Sequence, residues 1–538
     1  MTVTSVPPAR PAVPSADYAR LEERILTRDQ LGASDVFYGL VKAGRPLTEM
    51  LGEVVRIHAP YTNVPYHQRL DDGVVRFVNN DHCLLSARAT LRLSKMVSKD
   101  FNYLPLAQTI WYVPTGLDPW NQLLGKAPGH YVRANNLTLD QATAAPQVHW
   151  DDQEPLHLEG GSYQENLNHW LTLVQRGEVV QAYRVFLGLF EDVANRPRLL
   201  AQLMFAGLMD VQDRAIYNRS YTTGHKSYRA RATIELGEAV GWEQAHSVLY
   251  AGVPDIAVGP RWYSTYEMAC NVTASLLDGR DRELLANRGQ LTREEAAQTL
   301  DLILHSHEPT WIHHLVGLLK GGTSARQILD VLQVGAAELI LQTGLATEYS
   351  LPQHSYEYCN TLRWYYDTFE HPHQLKLLFV AASFVNQAAH HQAVLPTNGP
   401  LRLSRPRGVD ALSQQQLLHR IDDAIVALQA DESVALVDAY LGGSFDRAPL
   451  VELLANAACK LGNDPHNQEI GLCLVEDYLH STAFERDRLL LACAKHTAGH
   501  RKYGDPLEAY RRYAETFGIA TRQQSRGDAP IEALLLDD

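Results

Sequence analysis

Residues 39–44 (GLVKAG), followed by residues 50–55 (MLGEVV), form a pattern that returns in the second half of the chain as residues 317–322 (GLLKGG) and 328–332 (ILDVL). Each copy has the pattern of a helix that ends on glycine and turns into a second helix, because glycine adopts the left-handed backbone of a helix end without a steric penalty. Two such helix–turn–helix units predict an all-α, multi-helical fold and indicate internal duplication.

The composition is that of an acidic globular protein. The chain has 538 residues, 45% of them hydrophobic and 20% charged, which suffices for a core and for roughly two to four domains. The formal net charge of −14 argues against nucleic acid or an anionic membrane surface as a partner, because both are bound by clustered lysines and arginines. No stretch reaches the roughly 18 apolar residues of a membrane span.

The cysteines and the N-terminus indicate a compartment. The six cysteines include no Cys-x-x-Cys pair, so we expect reduced thiols in a cytoplasmic protein. Residues 1–16 are rich in Pro, Val and Ser and lack the apolar core of a signal peptide, so they predict a disordered tail.

Changes in composition and periodicity divide the rest of the chain. Residues 101–162 lose the helical period and are rich in proline and aromatic residues, whereas disordered segments are poor in aromatics. They predict a long, ordered, non-helical arm, either a binding loop or subunit clasp or a cover strapped over the helical core. The predicted units are an N-terminal helical unit (17–100) with a short strand at 74–78, the arm (101–162), a helical body (163–395), a connector (396–410), a C-terminal helical unit (411–518) and a tail (519–538).

Histidine is the unusual component, with 23 residues, and its imidazole is a frequent metal ligand and acid–base group. His496 and His500 lie one helical turn apart on an apolar stripe, so both rings could reach one ion or one substrate. Alternatively they form a helix-end pair, where a cation suits the helix dipole. His225 follows Gly224 at a predicted helix start, which places it beside a cavity or in an ordinary cap region.

A dense group of histidine and acidic residues surrounds Pro309, which predicts the start of a helix. His307 and Glu308 lie at this junction, and helical phase turns His314 inward and His313 outward. Such a junction could bind iron, zinc or manganese, or it could be an exposed turn.

The predicted helix at 377–391 is apolar on nearly every face, so we expect it to be buried. A polar stripe of Ser383, Asn386 and His390 crosses it. Since buried polar groups need partners, the stripe is either a pocket wall or an internal hydrogen-bond network.

Several well-known motifs are absent from the sequence. There is no phosphate-binding Gly-x-x-x-x-Gly-Lys-Ser/Thr loop, no Gly-x-Gly-x-x-Gly after a strand and no Gly-x-Ser-x-Gly elbow. Di-iron bundles carry two Glu-x-x-His motifs inside helices, and in this chain only Glu243-x-x-His246 falls in a plausible helix interior. The sequence therefore does not predict that type of di-iron site.

Residues 39–65 resemble the carboxymuconolactone decarboxylase and alkylhydroperoxidase-D-like helical family, and residues 318–332 resemble the first half of that segment again. The residues that carry the resemblance are the run from Leu40 to Gly44, Glu49, Glu53, His58, Tyr61 and Pro65. The resemblance implies an all-helical, homo-oligomeric protein. It carries His58 and Glu53 over as site residues of the decarboxylase branch, which uses no metal. The peroxidase branch uses a Cys-x-x-Cys pair that this chain does not have.

Three kinds of function remain open on the sequence alone. The first is a histidine-rich oxidoreductase that holds a transition metal such as iron, zinc or manganese and acts on a small organic molecule. Its candidate metal ligands are His307, Glu308, His314, His496 and His500, and its candidate catalytic residues are His225, His314, His390 and His58. The second is a cofactor-free lyase or isomerase in which a histidine moves a proton beside a carbonyl. The third is a helical-repeat interaction protein whose histidines fill the core.

Overall fold

The computed structural model describes residues 16–62, 68–71, 74–77, 82–116, 154–211, 224–257, 263–391, 408–462, 465–500 and 504–520. Within these ranges the chain forms 23 α-helices and one two-stranded hairpin, so the predicted all-α, multi-helical fold is confirmed. Within the same ranges no helix combines the length and the apolar character needed to cross a membrane.

The helices fall into three consecutive groups along the chain. The N-terminal part has α1 (Ala16–Leu26), α2 (Gln30–Lys42), α3 (Leu47–Thr62), β1 (Gln68–Asp71), β2 (Val74–Phe77), α4 (His82–Leu93) and α5 (Leu104–Gly116). The middle part has α6 (Tyr163–Arg176), α7 (Val179–Phe190), α8 (Arg196–Leu208), α9 (His225–Val240), α10 (His246–Gly252), α11 (Ser264–Ser275), α12 (Asp281–Leu285), α13 (Arg293–His305), α14 (Glu308–Lys320), α15 (Ala325–Gln342), α16 (Ser350–Thr368) and α17 (Gln374–His391). The C-terminal part has α18 (Gln414–Val426), α19 (Ala430–Gly442), α20 (Ala448–Lys460), α21 (His466–His480), α22 (Asp487–Gly499) and α23 (Glu508–Phe517). Short 3-10 helices lie at Lys99–Phe101, Trp242–Gln244, Pro254–Ala257 and Val409–Ala411.

The two helix–turn–helix units lie where the glycines predict them. Helix α2 ends at Lys42, and Gly44 has a φ of 73° before α3 begins. Helix α14 ends at Lys320, and Gly322 has a φ of 94° before α15 begins. These positive φ values explain why glycine is needed at both turns. The predicted strand at 74–78 is confirmed as β2, which pairs antiparallel with β1.

The predicted non-helical arm at 101–162 is wrong in its first part, where α5 forms. Proline misled the prediction there, because Pro105 lies in the first turn of α5, where its missing N–H costs no hydrogen bond, and Pro114 lies in the last turn. Residues 117–153 of the arm lie outside the described residues, as do most of the predicted tails (1–16 and 519–538) and of the connector (396–410). The predicted unit boundaries stay predictions.

Four helices, α4, α9, α16 and α21, form the centre of the fold. They pack in a closed ring, α4 against α9, α9 against α16, α16 against α21 and α21 against α4. All four helices run in the same direction. Histidines near their N-terminal ends contact one another, and charged residues further along the same helices form ion pairs with one another. The four helices come from all three predicted helical units, so residues far apart in sequence share one centre.

Buried ion pairs lock these four helices together below their N-terminal ends. Arg88 Nε donates to Glu235 Oε2 at 2.7 Å and joins α4 to α9. Arg231 Nη2 donates to Glu476 Oε2 at 2.9 Å and joins α9 to α21. Arg363 Nε donates to Asp477 Oδ1 at 2.8 Å and joins α16 to α21. A buried charge without an oppositely charged partner is strongly destabilising. The helices therefore pack in the register that brings these charges together.

Candidate metal site

Each of the four central helices carries a histidine in its first one or two turns. His82, His225 and His466 are the first residues of α4, α9 and α21, and His354 lies just over one turn into α16. Because the helices are parallel, these imidazoles meet at one level of the bundle. Neighbouring ring centroids are 5.4 Å apart for His82 and His225, and 4.8 Å apart for His225 and His354. The ring closes with 5.5 Å between His354 and His466 and 4.3 Å between His466 and His82.

Glu469 adds a carboxylate to this ring of histidines. It follows His466 by three residues on α21, a spacing that places both side chains on one face of a helix. His82 Nδ1 lies 2.8 Å from Glu469 Oε2, and these side chains are 2% and 1% exposed. One ligand atom from each of His82, His466 and Glu469 lies within 4.8 Å of the other two, so this buried group could hold a metal ion.

Helix α16 repeats the same spacing with His354 and Glu357. His354 Nδ1 lies 2.7 Å from the carbonyl oxygen of Ser350, which fixes Nδ1 as the donor and leaves the lone pair on Nε2. His354 Nε2, Glu357 Oε2 and Glu469 Oε1 are all buried, and none of the three has a hydrogen-bond partner among the described residues. An imidazole oriented by a backbone carbonyl through one nitrogen, with the other nitrogen left available, is typical of a metal ligand.

His354 is in the neutral form that binds metal. Burial, followed by the neighbouring His225, His466 and His82, holds the pKa of His354 well below its usual range, so its ring is neutral. Burial, followed by the Glu469 carboxylate, raises the pKa of Glu357 to about 8. Glu357 and Glu469 therefore lie close enough to repel each other when both are ionised.

His496 and His500 extend the cluster on the side of α22. The His500 ring lies 5.5 Å from that of His466 and 4.9 Å from that of His496. His500 is the C-cap of α22, so the pair sits at a helix end and also contacts the central site. His496 Nε2 lies 3.0 Å from Gln353 Oε1 on α16. The structure thus brings the predicted residues His225, His496 and His500 into one buried cluster.

The other predicted residues lie elsewhere. His307 and Glu308 are exposed at the start of α14, and the half-buried His314 has its Nε2 2.8 Å from Thr299 Oγ1. His390 has its Nε2 3.0 Å from the carbonyl oxygen of Ser306. His314 and His390 therefore bond to α13 and the residue that follows it, and the His307 ring packs against that of His390.

The polar stripe of α17 is an internal network around the end of α13. Asn386 Nδ2 donates to the carbonyl oxygens of Ile303 and Ser306 at 2.7 and 2.9 Å, beside the His390 contact. Ser383 accepts from Gln387 Nε2 at 3.0 Å. These partners favour the hydrogen-bond network over the pocket wall.

His58 and Glu53, the residues carried over from the family resemblance, lie on α3 beside the central helices. His58 is fully buried, and burial, followed by the charge of Arg229, lowers its pKa to about 3. Glu53 Oε2 instead accepts from Arg56 Nε at 2.8 Å near the surface. No hydrogen bond between His58 and Glu53 is seen in the described part of the chain, so the two form no acid–base pair.

The sequence analysis missed the residues at the heart of the site. These are His82, His354, Glu357, His466 and Glu469. The sequence carries a signal for them, because His-x-x-Glu occurs on both α16 and α21, in the reverse order of the Glu-x-x-His of di-iron bundles. Both orders place the two side chains one turn apart on the same helix face.

Comparison of the chain with known protein families, with curated proteins and with solved structures finds no match. The resemblance to the carboxymuconolactone decarboxylase and alkylhydroperoxidase-D-like family therefore stays a prediction. The functional argument rests on the geometry of the central site.

Proposed function

We propose that the protein is a metal-dependent oxidoreductase acting on a small organic molecule, with a transition metal ion held by His82, His466 and Glu469. Two imidazoles and one carboxylate from a single face form the ligand set of non-haem iron oxygenases, which leaves positions open for substrate and dioxygen. When bound, a redox-active ion would supply the electron transfer that no protein side chain at this site supplies. Iron is therefore the proposed metal.

The observation that carries the proposal is the group of His82, His466 and Glu469, whose ligand atoms lie within 4.8 Å of one another and which adjoins further buried polar atoms without partners. A buried donor or acceptor left unsatisfied costs about 1–3 kcal/mol, and His354 Nε2, Glu357 Oε2 and Glu469 Oε1 are such atoms. Unpartnered buried atoms also occur away from the site, at His58 and Gln333, but these three adjoin a group of metal-ligand atoms. Cations bound in this space would convert the cost into binding energy, which favours a metal site over the interaction-protein alternative.

The surroundings suit a charged ligand set. The N-terminal ends of α4, α9 and α21 point at the site, and the positive ends of helix dipoles favour ionised carboxylates and disfavour protonated imidazoles. Metal binding needs deprotonated ligands, so helix N-termini at the site favour it. His82 and Glu469 are buried, and a site with little access to bulk water protects a redox reaction from side reactions.

The proposed setting is a cytoplasmic homo-oligomer. All six cysteines are free in the structure, which supports the reducing compartment predicted from the sequence. The oligomeric state rests on the family resemblance alone.

Dioxygen uptake tests the redox part of the proposal. Metal-stripped protein is loaded anaerobically with Fe(II) or with Zn(II), mixed with aerated buffer, and followed with an oxygen electrode. We expect the iron-loaded protein to consume oxygen faster than free Fe(II), and the zinc-loaded protein to consume none. Glu469→Gln should abolish the gain, whereas Glu432→Gln, at an exposed position on α19, should retain it. Uptake no faster than that of free Fe(II), with iron bound, would refute an oxidoreductase and redirect attention to the lyase or isomerase alternative.

A further inference from the structure

We infer that the site holds two metal ions, the second bound by His354 and Glu357 with His225 and bridged to the first by Glu469. This inference rests on the proposed function and adds a second ion to the same site.

The first support is the repeated ligand pattern on adjacent helices. His354 and Glu357 on α16 have the same three-residue spacing as His466 and Glu469 on α21, and the two helices run parallel in contact. Their rings lie 5.5 Å apart, so each helix presents a histidine and a carboxylate to one shared space. The facing helices supply one further imidazole each, His82 beside His466 and His225 beside His354.

The second support is what one ion leaves unsatisfied. An ion at His82, His466 and Glu469 Oε2 gives no partner to His354 Nε2, Glu357 Oε2 or Glu469 Oε1. These three atoms are a nitrogen and two oxygens, the ligand types of a second imidazole–carboxylate ion. Glu469 would then use one oxygen for each ion.

The charge balance points the same way. Glu357 and Glu469 place two buried carboxylates in one site, and like charges at close range repel each other when both are ionised. The ionised groups of the network below are already paired with each other, Glu235 with Arg88 and Glu476 with Arg231. Divalent ions between Glu357 and Glu469 would therefore remove their repulsion. A pair of ions about 3.5–4 Å apart can hold both ends of an oxygen-containing ligand.

Stoichiometry tests the inference directly. Metal-stripped protein is titrated with Mn(II), and bound metal is measured by equilibrium dialysis with elemental analysis, alongside the electron paramagnetic resonance signal of Mn(II). The wild-type chain should bind two ions, and the single-ion signal should weaken as the second ion couples to the first. Glu357→Gln should bind one ion and keep the single-ion signal, with affinity for a second ion at least about 10-fold lower.

Folding does not confound this variant. Glu357 Oε2 has no partner among the described residues, so the metal-free Glu357→Gln protein should melt at the same temperature as the metal-free wild type or higher. Glu432→Gln serves as the exposed control and should bind two ions. One ion in both the wild type and Glu357→Gln would overturn the inference and leave the proposed function standing. No bound ion in any of these proteins would overturn both.

Discussion

Glu476 contacts arginines on the other three central helices, and replacing it with glutamine should strongly destabilise the fold. Its carboxylate is 1% exposed and lies 2.9 Å from Arg231 Nη2, 3.0 Å from Arg363 Nη2 and 3.1 Å from Arg92 Nη2. Burial alone would raise the pKa of Glu476, but Arg231, Arg363 and Arg88 overcome that penalty and hold the pKa well below its usual range. The carboxylate is therefore ionised, and it joins α21 to the other three central helices.

The expected cost follows from the charges left behind. Glutamine keeps the shape of the side chain but removes its negative charge, so the buried guanidiniums of Arg231 and Arg363 each lose one of their counterions. Removing one partner of a buried ion pair costs about 3–5 kcal/mol, and we expect Glu476→Gln to lower the free energy of unfolding by that amount. Because the same pairs set the register of the helices that carry the histidines, metal affinity should fall as well.

Urea denaturation followed by circular dichroism measures this change, and soluble yield reports it if the variant does not fold. The matched control is Glu432→Gln, whose carboxylate lies 3.3 Å from Arg420 at the surface. An exposed pair contributes about 0–1 kcal/mol, so this control should unfold almost like the wild type. A loss below about 1 kcal/mol in Glu476→Gln would show that the buried network does not hold the helices in register.

Further predictions concern acid stability, close helix packing and a helix cap. The depressed pKa of His58, about 3 in the fold against about 6.5 when unfolded, gives stability that is complete above pH 6.5 and is lost as the pH falls toward 3. In His58→Gln the difference in unfolding free energy between pH 8 and pH 5 should therefore shrink by about 2 kcal/mol, and an unchanged difference in urea titrations would contradict a neutral buried His58. Gly207→Ala should lower the free energy of unfolding by about 1–3 kcal/mol, because the new Cβ would lie 2.9 Å from the Lys226 carbonyl oxygen where α8 contacts α9. Gly317→Ala on α14 meets open space and should raise the free energy of unfolding by about 0.5–1 kcal/mol. Equal melting temperatures for the two variants would refute this. Thr292→Ala removes the cap of α13 and should cost about 1 kcal/mol in thermal melts, while a neutral result would show that the capping box contributes nothing.

The local structure was largely predictable because its causes are local. The glycines at 44 and 322 end helices in the way their backbone freedom predicts, and Thr292 and Glu295 form a capping box whose Thr-x-x-Glu spacing is visible in the sequence. The prediction of an arm failed at α5, because a proline in a first turn looks the same in sequence as a proline in a loop.

The site was only partly predictable, because its contacts are not local. Helical spacing placed His496 and His500 on one apolar stripe, and the Gly224–His225 step placed His225 beside a cavity or in a cap region. Neither pattern says which inward faces meet. His82 and Glu469 are in contact across 387 positions of the chain, a pairing that only the parallel packing of α4 and α21 creates. The histidines and Glu308 around Pro309 drew attention by their density in the sequence, yet density along the chain reflects neighbours in sequence and not neighbours in space.

Elemental analysis by plasma mass spectrometry tests the central claim most directly. Untagged wild-type protein and Glu469→Gln would be purified without chelator, and metal per chain would be measured on material shown to be folded by circular dichroism. The account predicts near-stoichiometric transition metal, iron above all, in the wild type and a large loss in Glu469→Gln, whose carboxylate joins His82 and His466 in the candidate site. No metal above background in the folded wild type, or equal metal in both proteins, would contradict it.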